Sequence, residues 1–178
     1  MKNIPNLLTL FRLLLIPVML HYLLIDNIKI ALVVYIVAST TDVIDGYVAR
    51  KFDMITSLGK VLDPLADKLL QFAALIGLCY LKIIPFWILI VFFCKEVIMG
   101  IGCFKLILKD NVIVQAKWFG KASTCTFFLA IIISMLSRYF KVFEPYPIIL
   151  MVIALFMAIF SLVMYLRNYL KVVKLLDS

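Results

Sequence analysis

Four aspartates, Asp42, Asp45, Asp63 and Asp67, stand close together in a chain that is otherwise poor in acids. On a helix, at about 100° per residue, Asp42, Asp45, Gly46 and Ala49 share a single arc. Gly59, Asp63 and Asp67 recur every four residues and line one face of the helix that follows. Four carboxylates gathered in a low dielectric cannot all stay ionised without counter-charge. Hard divalent cations such as Mg²⁺ or Mn²⁺ supply it through oxygen ligands. Two such ions leave a site able to take an anionic ligand such as a pyrophosphate. The small residues Gly46, Ala49 and Gly59 let a ligand approach the backbone, and Arg50 is placed to clamp a phosphate. The ordinary alternative is that these aspartates cap helices or pair with Arg50, Lys60 and Lys68. That serves for one or two of them but not for four on converging faces with glycines interleaved.

The elements that must position these residues follow from composition. Of 178 residues, 66% are apolar and 16% charged, and the mean hydropathy is +1.15. A soluble fold of this size has no room to hide so much apolar surface, whereas a bilayer accepts helices of about 20 apolar residues. The sequence is expected to form an all-α integral membrane protein, a single domain over 1–178 with six transmembrane helices. A short amphipathic start, Asn3 to Asn6, leads into spans near 8–25, 28–51, 60–81, 84–108, 115–137 and 145–170, with a tight turn at Asp26-Asn27. The short polar loop between the second and third spans makes them antiparallel neighbours, with both aspartate pairs at one depth. Most lysines and arginines, among them Lys2, Arg12, Arg50, Lys51, Lys60 and Lys68, fall on the side that holds both termini, which places the termini in the cytoplasm. Trp87 and Trp118 fall near opposite interfaces.

A formal net charge of +8 without a soluble basic module points to anionic lipid surfaces or substrates, not to nucleic acid. The first span has the look of a signal peptide but no small-residue cleavage site, so it is expected to be retained. The absence of an organelle-targeting arm fits a bacterial inner membrane.

The pattern Asp42-x2-Asp45-Gly46-x2-Ala49-Arg50-x8-Gly59-x3-Asp63-x3-Asp67 resembles the signature of the CDP-alcohol phosphatidyltransferase family. The opening Asn3-Ile4-Pro5-Asn6-Leu7-Leu8-Thr9-Leu10-Phe11-Arg12 and the run Asp63-Pro64-Leu65-Ala66-Asp67-Lys68 are most similar to its phosphatidylglycerophosphate synthase branch. The resemblance implies transfer of a phosphatidyl group from CDP-diacylglycerol to an alcohol, with release of CMP. It further implies two divalent metals on Asp42, Asp45, Asp63 and Asp67, with Asp67 also the base for the attacking hydroxyl. Gly46, Ala49, Arg50 and Gly59 would line the CDP-diacylglycerol site, which would face the cytoplasm, and a homodimer is the expected assembly.

The acceptor is read from what departs from that branch. Its members carry Arg-Glu in the fourth span and Gly-Lys-x-Lys-Thr in the fifth. This chain has Lys95-Glu96, no arginine from Phe52 to Ser137, and Gly120-Lys121-Ala122-Ser123-Thr124. Lys95, Lys105, Lys117 and Lys121 remain to meet the phosphate of glycerol 3-phosphate, as point charges rather than bidentate forks. A lipid acceptor such as phosphatidylglycerol, giving cardiolipin, needs fewer basic groups and stays open. A divalent-cation transporter would need acids along a path across the membrane, and only Glu96 lies between the two sides.

The remaining polar residues have plainer readings. Asn6 and Thr9 are expected to cap the first helix. His21, the only histidine, is a packed or interfacial side chain mid-span. Glu96 either pairs with Lys95 or positions the acceptor. Cys79, Cys94, Cys103 and Cys125 read as small buried apolar residues. Arg167, Lys171 and Lys174 are membrane-surface anchors.

Overall fold

The computed structural model describes the backbone of residues 4–51, 59–110 and 118–176, and the side chains of 7–42, 44, 62–101, 118, 120–165 and 167. Six long helices account for nearly all of this: α1 (Ile4–Leu24), α2 (Ile28–Lys51), α3 (Gly59–Tyr80), α4 (Phe86–Asp110), α5 (Trp118–Leu136) and α6 (Tyr146–Leu176). They match the six apolar segments to within a few residues at most ends. Two differences stand out. The amphipathic start is no separate segment, since α1 already begins at Ile4, with Pro5 tolerated in a first turn whose N–H groups have no intrahelical partner. A 3₁₀ turn at Lys141–Phe143, absent from the sequence reading, precedes α6.

The chain divides into two compact units, Met1–Ile84 and Pro85–Ser178. In the first, α1 packs against both α2 and α3 far more extensively than those two pack on each other. α2 and α3 do touch, as the short loop between them implies, but α1 is the hub. Small residues suit this packing: Ala31 and Ala38 on α2 and Ala66, Ala73 and Ala74 on α3 are all buried, as are Met19 and Leu23 of α1. Gly77 on α3 marks the tightest approach, for a Cβ there would stand 2.8 Å from the Cβ of Leu23.

Both α1 and α3 end the same way. Asp26 and Lys82 adopt left-handed backbone, φ 58° and 57°. The N–H of Asn27 donates to the Tyr22 carbonyl at 2.9 Å and that of Asp26 to Leu23 at 3.1 Å. The N–H groups of Ile83 and Lys82 donate likewise to Leu78 and Cys79, each at 3.0 Å. These paired bonds satisfy carbonyls that the helix end would otherwise orphan, and they reverse the chain in two residues. The turn expected at Asp26-Asn27 is present.

In the second unit α6 packs on α5 and on α4. Phe92 and Phe127 meet edge to face with centroids 5.0 Å apart. A Cβ at Gly120 would stand 2.9 Å from the hydroxyl of Tyr165 on α6.

The outer surfaces are apolar. Leu7, Phe86, Trp87, Trp118 and Phe156 are all exposed, whereas Thr9, Arg12, Gln71 and Lys95 are buried. That inversion suits a hydrocarbon surround. The segments Leu7–Leu24 and Tyr146–Tyr165 are long and apolar enough to cross a membrane. Cys79, Cys94 and Cys125 form no disulfide, but Cys94 and Cys125 are exposed, so they sit on the outer apolar faces rather than in the core. His21 lies in the last turn of α1, not mid-span, with its ring edge-on to Tyr22 at 5.7 Å.

Candidate active site

Two of the four aspartates have their partners on α1. Arg12 is fully buried, and its Nη1 lies 2.6 Å from a carboxylate oxygen of Asp42. Its Nε–H donates to the carbonyl of Ala38, one turn earlier on α2, at 3.3 Å. One guanidinium thus grips the same face of α2 at two levels, a task that its rigid fork suits. One turn away on α1, the Thr9 hydroxyl donates to a carboxylate oxygen of Asp63 on α3 at 2.5 Å. Thr9 is therefore no helix cap. It sits inside α1 and ties it to α3. Asn6, the other candidate cap, has its side chain outside the described residues.

These two links bring Asp42 and Asp63 into each other's electrostatic field, with Arg12 as the counter-charge between helices. Asp67, one turn beyond Asp63 on the same face of α3, faces α2 at a different level. Its charge is felt by Tyr35, which is buried and whose hydroxyl bonds to Ser39. Pro64 is the sixth residue of α3, past the first turn in which a proline loses nothing, so it removes one i→i−4 hydrogen bond from the helix.

The side chains of Asp45, Gly46, Ala49, Arg50 and Gly59 lie outside the described residues, as do those of Lys105 and Lys117. Among the described residues no group of three acidic, histidine or cysteine side chains is gathered at metal-binding range. The donors that are described nevertheless fit a hard divalent cation in kind. Asp42, Asp63 and Asp67 are carboxylates, part-exposed rather than sealed, on facing helices.

In the second unit Lys95 is buried and bonds the carboxylate of its neighbour Glu96 at 2.7 Å. Of the two roles open to Glu96, the ion pair is the one observed. Lys121 is exposed. Ser123, which replaces the second lysine of the motif, is buried, and Thr124 bonds back to the Gly120 carbonyl at 3.2 Å.

Sequence reasoning counted Arg12 only as a basic residue and passed over Tyr35, Ser39 and Gln71. Spacing held the signal: Thr9 and Arg12 are three apart, Tyr35, Ser39 and Asp42 follow one face of α2, and Gln71 extends the Asp63–Asp67 row.

Polar groups interlocked within an apolar helical protein, carboxylates foremost, mark a functional site. Comparison with known proteins agrees. The sequence model of the CDP-alcohol phosphatidyltransferase family matches residues 2–169. A Bacillus subtilis protein named CDP-diacylglycerol–glycerol-3-phosphate 3-phosphatidyltransferase is 37% identical over 147 residues, 74% of this chain and 75% of its own. A Haemophilus influenzae protein of the same name is 36% identical over 172 residues, 93% and 92% of the two chains. A Rickettsia typhi protein, again of that name, is 48% identical over 73 residues, 39% of this chain and 41% of its own. The chain belongs to the CDP-alcohol phosphatidyltransferase family and is an enzyme of that class.

Proposed function

We propose that the protein transfers the phosphatidyl group of CDP-diacylglycerol to glycerol 3-phosphate and releases CMP. The observation that carries this reading is the pairing of Asp42 and Asp63 across two helices by Arg12 and Thr9. It supports the reading because it fixes two of the signature carboxylates on facing helices, as binding of a pyrophosphate substrate requires. The glycerol 3-phosphate acceptor is supported by the names of the Bacillus and Haemophilus relatives.

In this mechanism Asp67 takes the proton of the acceptor hydroxyl. The oxygen then attacks the phosphorus that bears the diacylglycerol, a new P–O bond forms, and the P–O bond to CMP breaks. Asp42, Asp45, Asp63 and Asp67 would hold two ions, Mg²⁺ or Mn²⁺. Bound divalent cations neutralise the pyrophosphate and stabilise the departing phosphate. Arg12 and Thr9 keep Asp42 and Asp63 in place. Gly46, Ala49, Arg50 and Gly59 would line the nucleotide side. Lys95, Lys105, Lys117 and Lys121 are assigned to the acceptor phosphate, Lys95 with its charge already shared with Glu96. The protein would span the inner membrane six times with both termini and the site cytoplasmic, as a homodimer and a single functional domain.

The test is CMP release by the purified protein with Mg²⁺ or Mn²⁺, offering glycerol 3-phosphate and phosphatidylglycerol in separate reactions. Release with glycerol 3-phosphate, abolished by EDTA and restored by added metal, is the expected result. Release with phosphatidylglycerol alone would keep the chemistry, replace the acceptor and make the product cardiolipin.

A further inference from the structure

Gln71 is 3% exposed, and its side-chain carbonyl Oε1 meets no hydrogen-bond donor among the described residues. Buried amide oxygens are almost always paired, so an orphan here asks for a donor that arrives from outside the chain. Its position says where that donor would sit. Gln71 follows Asp67 by four residues and Asp63 by eight, on one face of α3. Helical side chains lean toward the N-terminus of their helix, so Gln71 leans back toward Asp67, whose Cα lies about 6 Å along the axis. The buried hydroxyl of Tyr35 on α2, also within reach of the Asp67 charge, is engaged with Ser39.

The chemistry narrows the ligand. A carbonyl oxygen accepts only from N–H or O–H, so neither the phosphates nor the acyl esters of a phospholipid can satisfy it. An acceptor alcohol can. If its reacting hydroxyl is at Asp67, a second hydroxyl on the adjacent carbon lies about one bond further, within the span of a glutamine that leans toward it.

We propose that Gln71 is a specificity-determining residue, which accepts a hydrogen bond from the second hydroxyl of a vicinal-diol acceptor whose first hydroxyl is presented to Asp67. The inference rests on the acceptor reading above and adds a reason for preferring a glycerol-type alcohol. A pocket that hydrogen-bonds a substrate hydroxyl rejects the analogue lacking it, because its own polar group is then left unpaired.

The experiment compares kcat/KM for CMP release with glycerol 3-phosphate and with 3-hydroxypropyl phosphate, which lacks the middle hydroxyl, in the wild type and in Gln71→Met. The wild type is expected to prefer glycerol 3-phosphate by about tenfold or more. Gln71→Met is expected to narrow that preference to about twofold, chiefly through a higher KM for glycerol 3-phosphate. Its melting temperature should be unchanged or raised, since an apolar replacement removes an unpaired group. A preference kept intact in Gln71→Met overturns this inference alone and assigns Oε1 to a resident water. A wild type indifferent to the missing hydroxyl also overturns it, whether or not the variant folds. A wild type that releases no CMP with glycerol 3-phosphate overturns the acceptor reading, and this inference with it.

Discussion

Arg12 and Asp42 illustrate how a charged pair inside an apolar protein is balanced. The guanidinium is wholly buried while the Asp42 side chain is 40% exposed, so most of the desolvation cost falls on the arginine. Arg12→Met removes the positive charge paired with Asp42 and one of the hydrogen bonds to the Ala38 carbonyl, which keeps its bond from the Thr41 hydroxyl. It is expected to lower stability by about 1–3 kcal/mol, less than a fully buried pair would lose because water reaches Asp42. Thr9→Val keeps the shape and deletes the bond to Asp63, at a cost of about 1 kcal/mol. Thermal melting in detergent measures both. Asp67→Asn carries a different expectation: CMP release is lost while melting stays within a few degrees of wild type, because a base is removed and a side chain of the same shape remains. Retained activity in that variant would exclude Asp67 as the base. The four signature aspartates were legible in the sequence because their spacing is local, three or four residues along one helix. Their partners were not. Thr9 lies on a different helix from Asp63, and no periodicity within α1 reveals which helix a hydroxyl will face.

At the level of helices, what decides the geometry of the site is how closely α1 can approach α3. Gly77 limits the approach at the far end of the pair from Thr9 and Asp63, since a methyl group there would meet the Cβ of Leu23, an atom fixed to the α1 backbone, and not merely a mobile side-chain end. Gly77→Ala should therefore push the helices apart, costing about 1–3 kcal/mol as overpacking does. Adding Leu23→Ala, which removes the tip but keeps the Cβ, is expected to recover little of the loss. Recovery in full would show that the side-chain tip alone sets the separation. The six helices and their turns were readable because apolar runs broken by Asp26-Asn27, Lys51–Gly59 and Pro85 leave few alternatives. The role of α1 as hub was not. Loop length says that α2 and α3 are consecutive, but only the distribution of small buried residues says which surfaces meet most closely.

For the molecule as a whole, large apolar side chains such as Leu7, Trp87 and Phe156 are exposed while Thr9, Arg12 and Gln71 are buried, a distribution that suits a hydrocarbon surround. If six spans carry the chain across the bilayer with the basic loops inside, reporter fusions at the N- and C-termini should both give cytoplasmic signals. A reporter after Asp26 should give the opposite one. A cytoplasmic signal at all three positions would overturn that topology. The Arg12–Asp42 pair also bears on how such a chain is made. Translation delivers α1 to the membrane before Asp42 has been synthesised. At 5–20 residues per second, Arg12 waits about a few seconds for the carboxylate that will neutralise it. During that interval the first helix carries an uncompensated cation into a setting hostile to charge. If α1 enters the bilayer, holding it near the interface until α2 arrives would make the order of synthesis part of how the site is assembled.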